Sequence, residues 1–212
     1  MPTFTRSRGA AVLLSAGLCV PALLHGQSSR DQIRQWREAR EPQIVQEFAE
    51  FLKIPNVAAD SAGLRRNAAE IAAMLAQRGV DSRLLTNGTW APVVYGELKV
   101  PGATRTIVLY AHYDGQPVDP KEWNGGAPFT PALREQRGTE WVDIPFPTSG
   151  RLNPEARIFA RGAGDYKAPI AAIVYALDAL KATGHRPTIN LKFFFEGEEE
   201  SSSAHQIGRA HV

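Results

Sequence analysis

An α/β sandwich built around a parallel sheet is the fold class that the sequence predicts, on three observations. Apolar, β-branched runs such as Thr106 to Ala111 and Ile189 to Phe195 have strand length and end in polar turns. Between them lies a long apolar helical stretch, roughly Lys167 to Thr183, closed by Gly184. The order strand, helix, strand then favours a parallel crossover over a hairpin. With 212 residues the chain has the length for one or two domains with a real core.

The chain opens on a basic segment, Met1 to Arg8, followed by an apolar run from Ala10 to Leu24. This is the pattern of an export signal, and it is shorter than the roughly 20 apolar residues a membrane span needs. We expect residues 1–26 to be removed and the mature protein to be periplasmic or secreted, with no membrane association. The formal charge is +2 overall, and without Arg6 and Arg8 it falls to 22 basic against 22 acidic residues. That balance gives no electrostatic case for nucleic acid. Cys19 is the single cysteine and lies in the signal segment, so disulfides and thiolate ligands are excluded from the mature chain. A metal would have to be held by histidine and carboxylates.

After the signal, Arg30 to Arg40 and Pro42 to Leu52 read as two helices, with Pro42 suited to a first turn and Ile54-Pro55-Asn56 as the stop. A third helix is expected from Ser61 to Arg78, closed by Gly79. Val80 to Leu85 and Val93 to Leu98 read as strands around an Asn87-Gly88 turn. Thr106 to Ala111 follows as a buried strand. Residues 119–156 lack sustained periodicity and are too long for a silent connection, so an excursion with its own short hairpin is expected. Its aromatic residues Trp123, Phe129 and Trp141 read as loop anchors, with lining of a substrate cleft as the alternative. Ile189 to Phe195 is nearly all apolar, as a central strand covered on both faces would be.

Polar residues appear where these buried elements end. His112 leaves the first strand with Asp114 two positions on; Asp165 sits in a glycine-rich turn before the long helix; Glu198-Glu199-Glu200 leaves the last strand. Singly, each has an ordinary explanation: a structural histidine, a helix cap, a solvated acidic surface. Jointly, three exits supplying His, Asp and Glu to one sheet edge have the donor chemistry of a hard or borderline divalent cation such as zinc. Asp114 is placed to hydrogen-bond the His112 ring and fix its tautomer.

His112-Tyr113-Asp114, Gly162-Ala163-Gly164-Asp165-Tyr166-Lys167 and Glu196-Gly197-Glu198-Glu199-Glu200 resemble, in order, the motifs of the dinuclear zinc peptidases and deacylases. That superfamily includes carnosine-type dipeptidases, glutamate carboxypeptidases, aminoacylases and acetylornithine deacetylase. The resemblance covers roughly residues 43–203. It implies a three-layer α/β sandwich with a mostly parallel central sheet, of which residues 27–203 would form the N-terminal part.

By motif, His112 would ligate one zinc, Asp165 would bridge two, Glu200 would ligate the other, Asp114 would orient His112 and Glu199 would be the general base. A shifted register, with Glu198 as base and Glu199 as ligand, is the alternative. Cobalt or manganese would be substitutes for zinc. The implied reaction is amide hydrolysis in dipeptides or short peptides by a metal-bridged water. An N-acyl amino acid amidohydrolase is the alternative substrate class, and a non-catalytic remnant the alternative of a different kind.

Two substitutions depart from the pattern: Tyr166 stands where many relatives carry a second Asp, and Ala168 replaces a frequent Gly. The family also continues into a further carboxylate ligand, a distant His ligand and a lid domain that often dimerises. We therefore expect a C-terminally truncated chain whose tail, residues 204–212, is atypical or a sequence artefact. His205 and His211 within it read as incidental rather than as substitute ligands.

Overall fold

The computed structural model describes residues 28–86, 88–123 and 126–205. The expected signal segment, Asn87 of the expected turn, and residues 206–212 with His211 lie outside the described residues. Among the described residues no helix is long and apolar enough to cross a membrane.

The two helices expected on either side of Glu41 are one. Helix α1 runs from Ser29 to Leu52 with Pro42 inside it, and Ser28 caps it by accepting from Asp31 N–H. A proline interior to a helix forfeits one N–H···O bond but keeps a helical φ. Strong helix formers on both sides, and burial of the Pro42 ring, carry the helix through. Helix α2 (Ser61–Ala76) is capped by the Asp60 side chain on Gly63 N–H. It ends as expected near Gly79, whose φ of +79° is open to glycine at no steric cost.

The main sheet holds β1 (Asp81–Leu85), β2 (Val93–Leu98), β3 (Thr106–His112) and β7 (Asn190–Glu196) in the order β1-β2-β7-β3. It is mixed, and the expectation of a mostly parallel sheet is corrected. β1 pairs antiparallel with β2 and β2 antiparallel with β7; only β3 and β7 run parallel. The short link between β1 and β2 can only fold back as a hairpin. The long connection between β3 and β7 contains helix α3 (Lys167–Ala182), and it alone makes the crossover that a parallel pair requires.

β7 occupies the central position read from its composition, with Phe193 and Phe195 fully buried. The expectation that β3 is a buried strand is corrected along most of its length. Ile107, Val108 and Tyr110 are 47 %, 60 % and 54 % exposed, β3 being the outermost strand of this sheet among the described residues. Its last two residues, Ala111 and His112, are buried.

One core joins the helices to one sheet face. Phe51 of α1, Leu64, Ile71 and Leu75 of α2, and Ile170 and Val174 of α3 pack with Val94, Ala111, Phe193 and Phe195. The opposite face carries the cross-strand row Tyr95, Phe194, Tyr110, in which Phe194 is only half-buried.

The excursion after β3 forms its own three-stranded antiparallel sheet from β4 (Ala132–Arg137), β5 (Glu140–Ile144) and β6 (Arg157–Phe159). The expected hairpin is β4–β5, and β6 adds to it. Trp141 packs edge-on against Phe159 at 5.3 Å, and the Arg161 guanidinium lies 5.7 Å from the centre of the Trp123 ring, so both aromatics anchor the excursion. Helix α1 ties it down further: Gln46 Nε2 donates to Pro147 O, and Glu41 accepts from Leu152 N–H.

Two predictions test this packing. A Cβ on Gly197 would lie 2.5 Å from Cζ and Oη of the buried Tyr113. Gly197→Ala should therefore destabilise the chain by about 1–3 kcal/mol in urea unfolding, as overpacking does; an unchanged midpoint would show that Tyr113 moves freely. On the open face, the Tyr95 hydroxyl donates to Glu97 at 2.5 Å, with Lys99 and Lys192 beside it. That hydrogen bond, helped by the two lysines, lowers the Glu97 pKa from 4.5 to about 2. The stabilisation is present above pH 4.5 and is lost as the pH falls through 2. The stability gap between wild type and Glu97→Gln should close over that window, and a constant gap would contradict the assignment.

Candidate metal centre

Parallel pairing of β3 and β7 sets His112 directly beside Glu196, so both strands leave the sheet at the same edge. His112 is buried at the strand end, and its Nδ1 lies 3.2 Å from Asp114 Oδ1. Asp114 is itself completely buried. Its oxygens also accept from the backbone N–H groups of Glu199 (3.2 Å) and Glu200 (3.0 Å). Those residues open a single 3-10 turn, Glu199–Ser201, immediately after β7. One carboxylate thus joins the two strand exits.

The third exit comes from the loop before α3. Gly162, with φ +80°, turns the chain, and the Asp165–Tyr166 peptide is cis. This loop brings Asp165 Oδ1 to 3.4 Å from His112 Nε2, while Glu199 Oε2 approaches the same nitrogen at 3.6 Å. The Tyr166 ring lies over the imidazole with centroids 4.2 Å apart. His112 is enclosed, whereas the side chains of Asp165 and Glu199 are 65 % and 45 % exposed, so the group opens towards solvent.

Burial pulls the His112 imidazole towards its neutral form. The Asp114 hydrogen bond and the negative charges of Asp114, Glu199 and Asp165 outweigh it, and its pKa stands above the usual value. Two carboxylates converging on one ring nitrogen make a site that favours positive charge, whether a proton or a cation. The donor chemistry suits zinc: an imidazole nitrogen whose other nitrogen is held by a carboxylate, with two oxygen donors facing it. Among the described residues no three His, Cys, Asp or Glu side chains stand together as a complete ligand shell. The fit lies in donor type and convergence.

Of the residues expected to act together, His112, Asp114, Asp165 and Glu199 are brought together. Glu200 stands at the same turn, but its Oε2 accepts from Gln116 Nε2 at 2.6 Å and is not among the atoms meeting at His112. Glu198 faces elsewhere: its Oε2 accepts from His205 N–H and lies 3.3 Å from His205 Nδ1. The His205 ring stacks on Trp90 at 3.5 Å.

Four contributors escaped the sequence reading. Tyr166 covers the imidazole, and Gln116 holds Glu200. Asn56, read only as part of a helix stop, is fully buried; its Nδ2 donates to Tyr113 O and its carbonyl accepts from Gly115 N–H. Lys167, the last residue of the Asp165 motif, is fully buried and donates to Phe51 O and Ile54 O, and burial pushes its pKa down to about 7. A lysine at the first position of a long apolar helix was the available signal for the last.

Comparison with known proteins finds a family match and several similar chains. Residues 108–212 match Peptidase family M20/M25/M40. The chain is 29 % identical over 185 residues to human Beta-Ala-His dipeptidase, covering 85 % of this chain and 32 % of that protein. It is 26 % identical over 182 residues to the Cys-Gly metallodipeptidase of Candida albicans, covering 78 % and 34 %. The chain thus spans about a third of the length of these relatives. The crystal structure of human carnosine dipeptidase 1 superposes with a TM-score of 0.66 at 24 % identity, over 84 % of this chain and 36 % of that one, and so shares the mixed α/β fold. The match to the M20 peptidase family lies over the second half of the chain, and the exits of β3, β7 and the loop before α3 all lie within the matched residues.

Proposed function

We propose that this chain acts in the zinc-dependent hydrolysis of peptide bonds in dipeptides or short peptides. One observation carries the reading: Asp165 and Glu199 converge on His112 Nε2 while Asp114 holds the opposite nitrogen. The similarity to metallodipeptidases supports the substrate class, and the signal-like residues 1–26 support action outside the cytoplasm.

In this reading His112, Asp165 and Glu200 would hold the metal. Zinc bound there supplies Lewis-acid polarisation of the scissile carbonyl and acidifies a water. The chain's own residues do the rest. Asp114 accepts from His112 Nδ1–H, which leaves the Nε2 lone pair facing Asp165 and Glu199. The same carboxylate fixes the backbone of Glu199 and Glu200, so the base and its neighbouring ligand are placed by one anchor. Glu199, partly exposed at the mouth, accepts the proton of the attacking water at Oε2 and returns it to the departing amine. The hydrogen bond from Gln116 restrains the Glu200 carboxylate. Occupation of Glu198 by His205 favours the register with Glu199 as base over the shifted one.

Metal analysis and turnover of β-Ala-His or Cys-Gly test the roles separately. Wild type should retain about two zincs per chain after dialysis, as expected of a two-metal site. Asp165→Ala should lose them, and zinc unaffected by this change would remove Asp165 as the bridging ligand. In the full-length protein, Glu199→Ala should keep its zinc and lose roughly 10²–10⁴-fold in turnover. Undiminished turnover in that variant would take the role of base away from Glu199.

A further inference from the structure

We propose that Lys167 is a positioning residue for this metal centre: tied to the carbonyls of Phe51 and Ile54, it sets the place of the loop that carries Asp165 opposite His112. The proposal rests on the metal reading above.

Lys167 is an ammonium-bearing side chain with no exposed surface, and its Nζ donates at 2.9 Å to Phe51 O and at 2.7 Å to Ile54 O. The Phe51 ring lies 4.5 Å from Nζ. Phe51 belongs to the last turn of α1, where the helix dipole and carbonyls left over from the ladder favour a cation. The stem of the lysine passes under the loop it serves. A Cβ on Gly162 would meet Lys167 Cδ and Cγ at 3.4 and 3.5 Å, and Lys167 N–H closes the loop on Gly162 O at 3.1 Å. The first residue of the Gly162–Lys167 segment therefore rests on the lysine stem, with Asn56 Nδ2 at 3.3 Å from the same Cβ position.

The same stretch of chain also reaches the other exit. Asn56 Nδ2 donates to Tyr113 O at 2.9 Å, and Asn56 O accepts from Gly115 N–H at 2.7 Å, on either side of Asp114. Residues 51–56 thus form a strut between the two halves of the site. Asn56 fixes its end at Asp114, and Lys167 fixes its end at Asp165. The 3.4 Å approach of Asp165 to His112 is set through this strut as well as through direct contact.

Cobalt(II) titration with visible absorption tests the proposal on the whole chain, at a temperature where each variant is folded by circular dichroism. Lys167→Met has no donor, and Lys167→Gln is shorter but keeps one. Relative to wild type, cobalt affinity should fall about 10–100-fold in Lys167→Met, as when a group supporting a ligand is removed. The fall should be smaller in Lys167→Gln, with changed d–d bands in both. A lysine that merely supports the fold would lower the melting temperature and leave the affinity and spectrum of the folded protein at wild-type values. Either folded variant behaving so would overturn the proposal. Failure of both to fold would assign Lys167 to global stability and overturn it too. Absence of cobalt binding by wild type would instead sink the metal reading itself, and this inference with it.

Discussion

The Asp114 carboxylate, buried without exposed surface, is the interaction on which the candidate site depends. It accepts from a ring nitrogen two residues earlier in the chain and from two backbone N–H groups on the far side of the sheet edge. An ionised carboxylate is costly to bury alone, and hydrogen bonds to it are worth about 1.5–3 kcal/mol each. Three such bonds make burial tolerable, and each restrains a different element: the His112 ring, the start of the 3-10 turn, and the peptide that presents Glu200. Removing the carboxylate would leave two buried or half-buried N–H groups without an acceptor. The arrangement of the site is in this sense a solution to the problem of burying one charge.

Around that anchor the fold separates rigidity from reactivity. His112 is enclosed by the sheet edge and by Tyr166, while Asp165 and Glu199 project from loops towards solvent. The loop termini are not left to their own stiffness. Gln116, Asn56 and Lys167 connect them to one another or to the end of α1. Backbone carbonyls serve as most of the acceptors in this outer layer, so its geometry depends on main-chain placement rather than on further ionisable groups.

The chemistry-bearing residues were legible in the sequence because each marks an abrupt change of polarity at the end of an apolar element: His112 and Asp114 after Leu109-Tyr110-Ala111, Glu199 after Phe193-Phe194-Phe195. The parallel pairing of the two strands then made their convergence follow. Other features were not legible, for identifiable reasons. Pro42 looked like a helix start because local preference cannot weigh the burial that keeps α1 continuous. The apolar run of β3 looked buried because its composition does not tell which neighbours lie beside it. Lys167 and Asn56 owe their roles to partners 116 and 57 positions away, a separation at which spacing carries no signal.

Those separations bear on how the chain is made. Glu199 and Glu200 follow Asp114 by 85 and 86 positions, and β7 is the strand that pairs with β3 among the described residues. At ribosomal rates of about 5–20 residues per second, β3 is synthesised roughly 4–17 seconds before the turn that completes the Asp114 contacts. Throughout that interval a β-branched segment with Ile107 and Val108 on it has neither hydrogen-bonding edge occupied, which is the condition under which nascent chains pair wrongly or require holding. The excursion β4–β6, made entirely from nearby residues, can form during the wait, and its early closure shortens the distance that β3 and β7 must span when the second strand arrives.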